Sequence, residues 1–392
     1  MRSVELKPYM IAAVVALACL ASACAPASKT SESLASESPE GPGYRHSALN
    51  VNLYPAEKLV CEPLGGTPDS RVNGGLSAEL YSIDRAALKG EKPESADTIM
   101  EKGARADRKI FFSQLNVPTR AFNKGFVTDL GDALADGKGK ALKSDFALKI
   151  RSVISLADDQ EEGLYEFALL SNDGAVLKIR DDEGVYRTAV DNDGDHETRL
   201  GCGTETYDLR HGTEKLIELK YFKGQRPNVA LVLLMRKVDQ TAGRDPACGE
   251  EGDRKWFAVN KDSAPEQAYT DLLARGWAPM TKANFSLPQE ALFNPCKDGL
   301  MATITDFEVI SVGKNSVELR WETSLPSTSQ IVLTDIATGR KSLTPADNQL
   351  RTHHWAVVEK LKANTDYAVQ ALAITETYGK SMTTHLKLKT GP

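Results

Sequence analysis

The chain has 392 residues, a formal net charge of -6, 41% apolar residues and 26% charged residues. This balance is ordinary for globular proteins, and the length predicts two or three domains rather than a single core. The negative charge argues against a nucleic-acid partner, because neutralising phosphates requires a dense Lys/Arg surface.

The N-terminus has the pattern of a targeting segment. Arg2 and Lys7 precede an apolar stretch at 10–21, which is too short to span a bilayer reliably. The segment ends in LASAC, with small residues before Cys24, and so resembles a bacterial lipoprotein signal. In that family a diacylglycerol is added to the cysteine, and the signal is cleaved just before it.

The match departs from the family pattern in two places. Ala21 stands where Leu is usual, and Cys19 is a rival lipidation site, although cleavage there would leave a very short apolar stretch. The alternative is an ordinary secretory signal cut after Ala23. We predict a signal at 1–23 and lipidation of Cys24.

A flexible tether is predicted over 24–59. The stretch 25–43 is rich in Ser, Pro, Glu, Gly and Ala, and it cannot bury enough apolar surface to offset the entropy of ordering. Ala25, rather than Asp, follows Cys24, which resembles an outer-membrane sorting signal. The predicted location is the cell envelope, with a lipid anchor in the membrane.

Four further cysteines suggest two disulfides, because export places them in an oxidising compartment. They are Cys61, Cys202, Cys248 and Cys296. The absence of CxxC spacing argues against zinc and thioredoxin chemistry, and three connectivities are open. We predict Cys248–Cys296, which flank one small segment, and therefore Cys61–Cys202.

The region 75–240 is predicted to be β. Apolar and polar residues alternate in GLSAELYSI at 75–83 and in DFALKIRSVISL at 145–156. The turn SNDG at 171–174 joins two strand patterns, and Asn and Gly tolerate the positive φ of hairpin turns. Many short strands with such turns predict a β-sandwich.

The order of these segments resembles the protective-antigen-type domain, a lectin-like β-sandwich of anthrax toxin, some bacterial glycosidases and the yeast flocculins. The resemblance rests on GLSAELYS, FFSQLNVPTRAFNKGF, GLYEFALLSNDGAVLKI, VDNDGDH and HGTEKLIELKYFKG, in that order. It covers 75–238, and we assign the domain to 60–240.

A small helical connector is predicted over 241–298. Ser263 and Glu266 form a capping-box pattern ahead of an apolar face, and Gly276 is the expected helix stop. A second short helix is predicted at 287–293. Three aromatic residues are candidates for packing on a neighbour: Trp256, Trp277 and Phe293.

The segment 299–392 resembles a fibronectin type III module. Strand patterns surround a Lys-Asn turn, and Leu361, Thr365 and Tyr367 form the L-x-x-x-T-x-Y pattern in which the Tyr makes the tyrosine corner. Trp321 is the expected core Trp. The predicted fold class is therefore mainly β, with two β-sandwiches joined by a small helical connector.

No catalytic constellation emerges, and we expect no enzyme. His353 and His354 are neighbours in a strand pattern, so their side chains point to opposite faces and do not share a metal. The pairs Glu161–Glu162 and Asp181–Asp182 are adjacent residues rather than opposed acids across a cleft, and they are predicted to be solvated strand edges.

The stretch VDNDGDHETR at 190–199 begins like an EF-hand loop, but His196 and Cys202 stand where Gly and Glu are required. His196 is instead assigned to packing or hydrogen bonding within the turn. The resemblance to flocculins implies a Ca²⁺ site, because there two neighbouring acidic residues of the SDDG-type turn hold Ca²⁺ and the sugar completes its shell. Here the predicted ligands are Asn172, Asp173, Asp191, Asn192 and Asp193.

Two functions are predicted. The first is a membrane-anchored envelope lipoprotein that acts as a carbohydrate-binding or adhesion module, with Ca²⁺ as the predicted cofactor and a glycan or a cell-surface protein as partner. The second is a non-catalytic assembly protein whose β domains dock a protein partner. The fold alone does not separate them.

Overall fold

The computed structural model describes residues 54, 57–88, 95–238, 243–259, 262–288, 294–297 and 299–392. The predicted signal, Cys24 and nearly all of the tether lie outside these residues, so the lipid anchor stays a prediction. Within the described ranges, no helix is long and apolar enough to cross a membrane. The expected fold class is confirmed: the chain is mainly β, with a larger and a smaller sandwich and a small connector containing helices.

The larger sandwich contains strands β1 to β13 and helix α1. The strands are β1 (Leu59–Cys61), β2 (Leu76–Ser82), β3 (Ala104–Arg105), β4 (Lys109–Phe112), β5 (Asn116–Ala121), β6 (Phe146–Ile154), β7 (Gly163–Asn172), β8 (Ala175–Arg180), β9 (Tyr186–Asn192), β10 (Arg199–Cys202), β11 (Tyr207–Leu209), β12 (Lys215–Lys223) and β13 (Asn228–Val238), and the helix is α1 (Ala96–Lys102).

These strands form two sheets that enclose the core. The first has the order β1-β4-β2-β6-β12-β8-β9, and the second contains β10-β7-β13. Alternate residues of each strand point inward, as in β6, where Leu148 and Ile150 are fully buried against Leu169 and Leu231 of the facing sheet. The alternation read from the sequence is therefore the core face of each strand.

The predicted hairpin at SNDG is wrong. β7 belongs to the second sheet and β8 to the first, so the turn at 171–174 carries the chain across the sandwich. The turns from β9 to β10 and from β12 to β13 cross in the same way. The turn residues specify a local reversal, whereas the choice between pairing and crossing depends on how the sheets assemble.

The connector adds short strands to both sheets. β16 (Ala278–Pro279) pairs with β13, and β17 (Phe285–Ser286) pairs with β6. The remaining elements are α2 (Asp253–Trp256), β14 (Phe257–Ala258), β15 (Ala264–Pro265), α3 (Gln267–Ala274) and a short 3-10 helix (Lys282–Asn284). Trp256 and Trp277 are buried in one cluster with residues of β7 and β13, as expected, while Phe293 lies outside the described residues.

The helix limits within the connector differ partly from the prediction. The N-cap of α3 is Glu266, with no side-chain cap, and Ser263 has a left-handed φ of 57°. Ser263 is therefore not the N-cap, because the β14–β15 pairing keeps the residues after it extended. Gly276, with φ of 90°, follows the end of α3 as expected. The second predicted helix lies largely outside the described residues.

The cysteines form two disulfides, but the predicted pairing is wrong. The bonds are Cys61–Cys296 and Cys202–Cys248. The end of the connector runs beside the segment between β1 and β2, where Asn294 N–H donates to the carbonyl of Val72 at 2.7 Å. Cys248 and Cys296 lie at opposite ends of the connector. They do not pair, because the connector crosses from one sheet of the sandwich to the other.

The smaller sandwich contains strands β18 to β24. They are β18 (Ile304–Val312), β19 (Val317–Asp335), β20 (Lys341–Leu343), β21 (Asp347–Val358), β22 (Asp366–Ile374), β23 (Lys380–Met382) and β24 (Leu386–Lys389). The first part of β19 pairs with β18 and β21, and its last part pairs with β20 and β22. Trp321 is buried as expected, and the Tyr367 hydroxyl accepts the Lys362 N–H at 3.1 Å, which forms the expected corner.

The two sandwiches touch at the loop that contains Asp129, Leu130 and Asp132. Lys380 forms an ion pair with Asp129, and Lys341 Nζ lies 3.0 Å from Asp132 and donates to the Leu130 carbonyl at 2.9 Å. The Leu130 side chain packs in a small apolar cluster with residues of β19 and β22. The smaller sandwich is therefore in direct contact with the larger one.

Candidate functional site at the crossover turns

Three turns that carry the chain between the sheets meet at one end of the larger sandwich. They comprise residues 171–174, 193–198 and 224–227, and we call this region the crossover end. The turns are in close contact: a Cβ added at Gly174 would lie 2.6 Å from Gly194 N and 2.7 Å from Asp193 Oδ1. The two acidic turns therefore lie next to each other, as expected. Glycine is required at position 174, because a Cβ atom there would clash with the second turn.

Asp173 lies at the centre of the crossover end and is fully buried. Its Oδ2 atom accepts hydrogen bonds from the backbone of Gly224 at 2.7 Å and from the ammonium of Lys223 at 3.1 Å. Arg226 Nε lies 3.4 Å from the other carboxylate oxygen and 2.8 Å from Asp195. The Asn172–Asp173 peptide bond is cis. Asp173 is thus the fully buried carboxylate of a charged network that also contains Lys223, Arg226 and Asp195.

Burial and pairing act in opposite directions on this network. Burial raises the pKa of Asp173, and Lys223 opposes that rise. Burial likewise lowers the pKa of Lys223, and Asp173 opposes that fall. Each residue therefore offsets the desolvation cost of its partner's charge, and removal of either would leave a buried charge without its main partner.

Asn172 is joined to the connector. Its side-chain amide donates to Asp253 Oδ1 at 2.8 Å. The same carboxylate accepts the N–H and hydroxyl of Thr198 and the amide of Asn228, at distances from 2.7 to 3.0 Å. These hydrogen bonds lower the pKa of Asp253 against the opposing effect of burial. The connector thus supplies the acceptor that orients Asn172, the second residue of the turn.

The other predicted ligands have separate roles. Asn192 is buried, and its amide bonds Ser171 Oγ and the Arg199 carbonyl at 2.9 Å while its oxygen accepts Arg199 Nε at 2.8 Å. Asp191 is exposed and accepts the Asp193 N–H at 3.1 Å. Asp193 accepts the Gly194 N–H at 3.0 Å, and burial raises its pKa. These hydrogen bonds hold the second turn in shape.

His196 has the role assigned from the sequence. Its side chain is buried, with Nδ1 2.7 Å from the Glu197 carbonyl and Nε2 3.0 Å from the Asn192 carbonyl. Both ring nitrogens are thus used within the turn.

The fit of Ca²⁺ to this end is poor. Two buried oxygens, Asn172 Oδ1 and Asp173 Oδ1, lack a hydrogen-bond partner in the described part of the chain. Calcium takes six to eight oxygen ligands, however, and the carboxylate that would anchor it already faces two side-chain cations. Among the described residues, no group of three or more His, Cys, Asp or Glu side chains could hold a metal.

The other acidic candidates lie in surface ion pairs or turns. Glu161 pairs with Lys237 at 2.7 Å, and Asp182 pairs with Lys215 at 2.8 Å. Asp181 accepts the Val185 N–H at 2.8 Å within a turn. Each of these three carboxylates therefore has a partner at the protein surface.

Sequence reasoning missed an exposed aromatic residue on the smaller sandwich. Trp355 on β21 is 55% exposed and lies opposite Arg320 of β19. A groove of about 660 Å³ lies beside it, which we call the Trp355 groove. It is lined by Asp306, Phe307, Glu308, Arg320, Trp321, Glu322, His353, His354 and Trp355. The available signal was Trp in an alternating strand, which did not reveal which face the sandwich would cover.

Comparison with known proteins gives distant structural similarities. No family model and no curated protein matches the chain. The PA14 sugar-binding domain from RTX adhesin is 14% identical, with a TM-score of 0.31 over 55% of this chain and 99% of that one. The Epithelial Adhesin 6 A domain from Candida glabrata, in complex with Galb1-3GlcNAc, is 16% identical, with a TM-score of 0.29 over 54% and 98%.

A third similarity concerns the FN5 domain of Drosophila Lar, which is 18% identical, with a TM-score of 0.20 over 24% of this chain and 99% of that domain. Because every one of these scores is below 0.5, the similarities carry no argument about the site or the function.

Proposed function

We propose that this protein is a non-catalytic carbohydrate-binding or adhesion module, anchored to the cell envelope by lipid on Cys24. The observation that supports it is the Trp355 groove, in which an exposed indole lies among polar side chains. The proposal moves the expected glycan site from the larger sandwich, where Asp173 is buried and paired with Lys223 and Arg226, to the smaller one.

The groove has the two kinds of group that bind a sugar ring. The C–H face of a pyranose packs against an aromatic ring, and its hydroxyls need donors and acceptors at the rim. His353 Nδ1 lies 3.2 Å from Glu322 Oε1, and Arg320 forms an ion pair with Glu308. These four side chains provide donors and acceptors beside the indole.

The buried aromatic residue of the groove also has a free donor. Trp321 is 1% exposed, and its indole N–H has no hydrogen-bond partner among the described residues. Phe307 contacts Trp321 edge to face, with ring centroids 6.2 Å apart. A buried donor without a partner costs free energy. Trp321 belongs to the core cluster of the smaller sandwich, so its indole lies beneath the groove and is not exposed to a ligand.

A second candidate function is protein docking, and one observation favours it. Val357, two residues after Trp355 on the same face of β21, is 54% exposed. Exposed apolar side chains next to one another are common at protein interfaces. This alternative corresponds to an assembly protein rather than a glycan receptor.

The experiment is a glycan array probed with the mature protein and with Trp355→Ala and Val357→Ser. We expect binding to at least one glycan, reduced about tenfold or more by Trp355→Ala because the stacking surface is removed. Val357→Ser is the matched control, since it changes the same strand face without removing an aromatic ring.

Three results would contradict the proposal. The first is an absence of binding to every glycan. The second is binding that Trp355→Ala leaves unchanged. The third is glycan binding that both substitutions weaken equally, because the Trp355 ring would then have no role of its own.

A further inference from the structure

We propose that the ammonium of Lys223 takes the structural place of a metal ion at the crossover end, so that the turns are held together without calcium. The inference concerns the larger sandwich and does not depend on the proposed glycan groove. It rests on the position of one buried lysine, the last residue of β12. The cation is thus a side chain of the protein and not a bound ion.

The surroundings of Lys223 are those of a bound cation. Its side chain is fully buried, and Nζ has three oxygen neighbours: Asp173 Oδ2 at 3.1 Å, the Arg226 carbonyl at 2.6 Å and the Gly224 carbonyl at 3.4 Å. An ammonium has three protons to donate, and each has an acceptor here. The contacts join the first turn, through Asp173, to the third, through Gly224 and Arg226.

A second positive group, the Arg226 guanidinium, also faces the carboxylate of Asp173. The guanidinium of Arg226 approaches the remaining oxygen of Asp173 and also pairs with Asp195 of the second turn. The three turns are thus bridged by two side-chain cations and two carboxylates. A cross-link of this kind between loops is what a calcium ion provides in other loop clusters.

The same charges oppose entry of a divalent cation. An ion bound to Asp173 would lie next to an ammonium and a guanidinium, and in a buried site this repulsion is strong. Displacement of Lys223 would require its charge to leave a buried position and three oxygen acceptors. Asn172 Oδ1 and Asp173 Oδ1, the two buried oxygens without a hydrogen bond, do not supply enough ligands to offset that cost.

The first experiment uses the wild-type chain. Thermal unfolding is measured in CaCl2 and in EGTA, and bound calcium is measured by native mass spectrometry and by calorimetric titration with CaCl2. We expect the same midpoint in both solutions, no retained calcium and no saturable heat. Retained calcium, or a midpoint lowered by EGTA, would overturn the inference.

The second experiment asks whether the positive charge of Lys223 matters. Lys223→Met keeps the unbranched stem as far as Cε but removes the ammonium, so Asp173 is left buried without it. We expect the unfolding equilibrium constant to rise about a hundredfold or more, and the double variant Lys223→Met, Asp173→Asn to recover most of the loss. Lys220→Met, on the same strand, is the control, because Lys220 pairs with exposed Asp97 and should change the constant less than about fivefold.

The variants distinguish charge from packing. If Lys223 only fills space, Lys223→Met will be close to wild type in stability, and that result would overturn the inference. The inference would also be overturned if the double variant were as unstable as Lys223→Met. The loss of stability would then not come from the unpaired carboxylate of Asp173. If Lys223→Met does not fold, the calcium measurements on the wild-type chain still decide whether a metal is used.

Discussion

His354 is expected to make the smaller sandwich sensitive to mild acid. Its imidazole is 3% exposed, stacks on Trp321 with ring centroids 5.0 Å apart, and lies 2.7 Å from Ser329 Oγ and 2.8 Å from Thr323 Oγ1. Burial lowers the pKa of His354 from its ordinary value of 6.5 to about 4. The folded protein therefore holds this residue in its neutral form.

The size of the effect follows from the difference between the folded and unfolded pKa values. Stability is fully present above pH 6.5, and it falls as the pH drops below 6.5 towards 4, because the unfolded chain binds a proton that the folded chain rejects. Each pKa unit is worth about 1.4 kcal/mol. Between pH 7.5 and pH 4.5 the loss from this one residue is about 2.5 kcal/mol.

Urea unfolding of the full chain, followed by tryptophan fluorescence, measures this loss in the wild type, in His354→Gln and in His353→Gln. We expect His354→Gln to remove about 2.5 kcal/mol of the pH dependence. His353→Gln should keep that dependence, because the side chain of His353 is 80% exposed. If all three proteins lose the same stability between pH 7.5 and 4.5, other groups cause the acid sensitivity and the reasoning is refuted.

Two further predictions concern other parts of the chain. Burial raises the pKa of Glu62 to about 7, so stability should fall as the pH rises from 4.5 through 7, and Glu62→Gln should remove about 2.5 kcal/mol of that decline in urea unfolding at pH 5 and pH 8. An equal decline in both proteins would contradict this. The second prediction is that metabolic labelling with palmitate is lost in Cys24→Ser, and labelling that persists would exclude Cys24 as the lipid site.

The strands were largely predictable from the sequence, whereas the connections between them were not. Alternation placed β2 and β6 correctly, because a period of two residues requires only a sheet with one buried face. The turn SNDG was mistaken for a hairpin because Asn, Asp and Gly allow a chain reversal without specifying the next hydrogen-bonding partner. The disulfide pairing failed for a related reason, since proximity between Cys61 and Cys296 is a property of the folded chain.

The candidate site was also predictable in part from the sequence and in part only from the folded structure. The sequence directed attention to Asp173 and Asp193 as neighbours, and the structure brings their turns into contact. It gave no indication that Lys223, fifty residues from Asp173, would lie on that carboxylate, or that Asp253 of the connector would hold Asn172. Lysine at the end of a strand is usually solvated, so its burial is visible only in three dimensions.

By itself the sequence determined the mainly β class, the three-part order of the described chain, the buried Trp321 and the Tyr367 corner, because these depend on local periodicity and short-range motifs. Only the tertiary structure decided which turns cross between sheets, which cysteines pair, and which charges share a buried space. These outcomes depend on contacts between residues distant in the chain, and their energies are set by burial and by the partners that burial imposes. The exposure of Trp355 belongs to the same group, since a strand pattern does not say which of its faces the fold leaves uncovered.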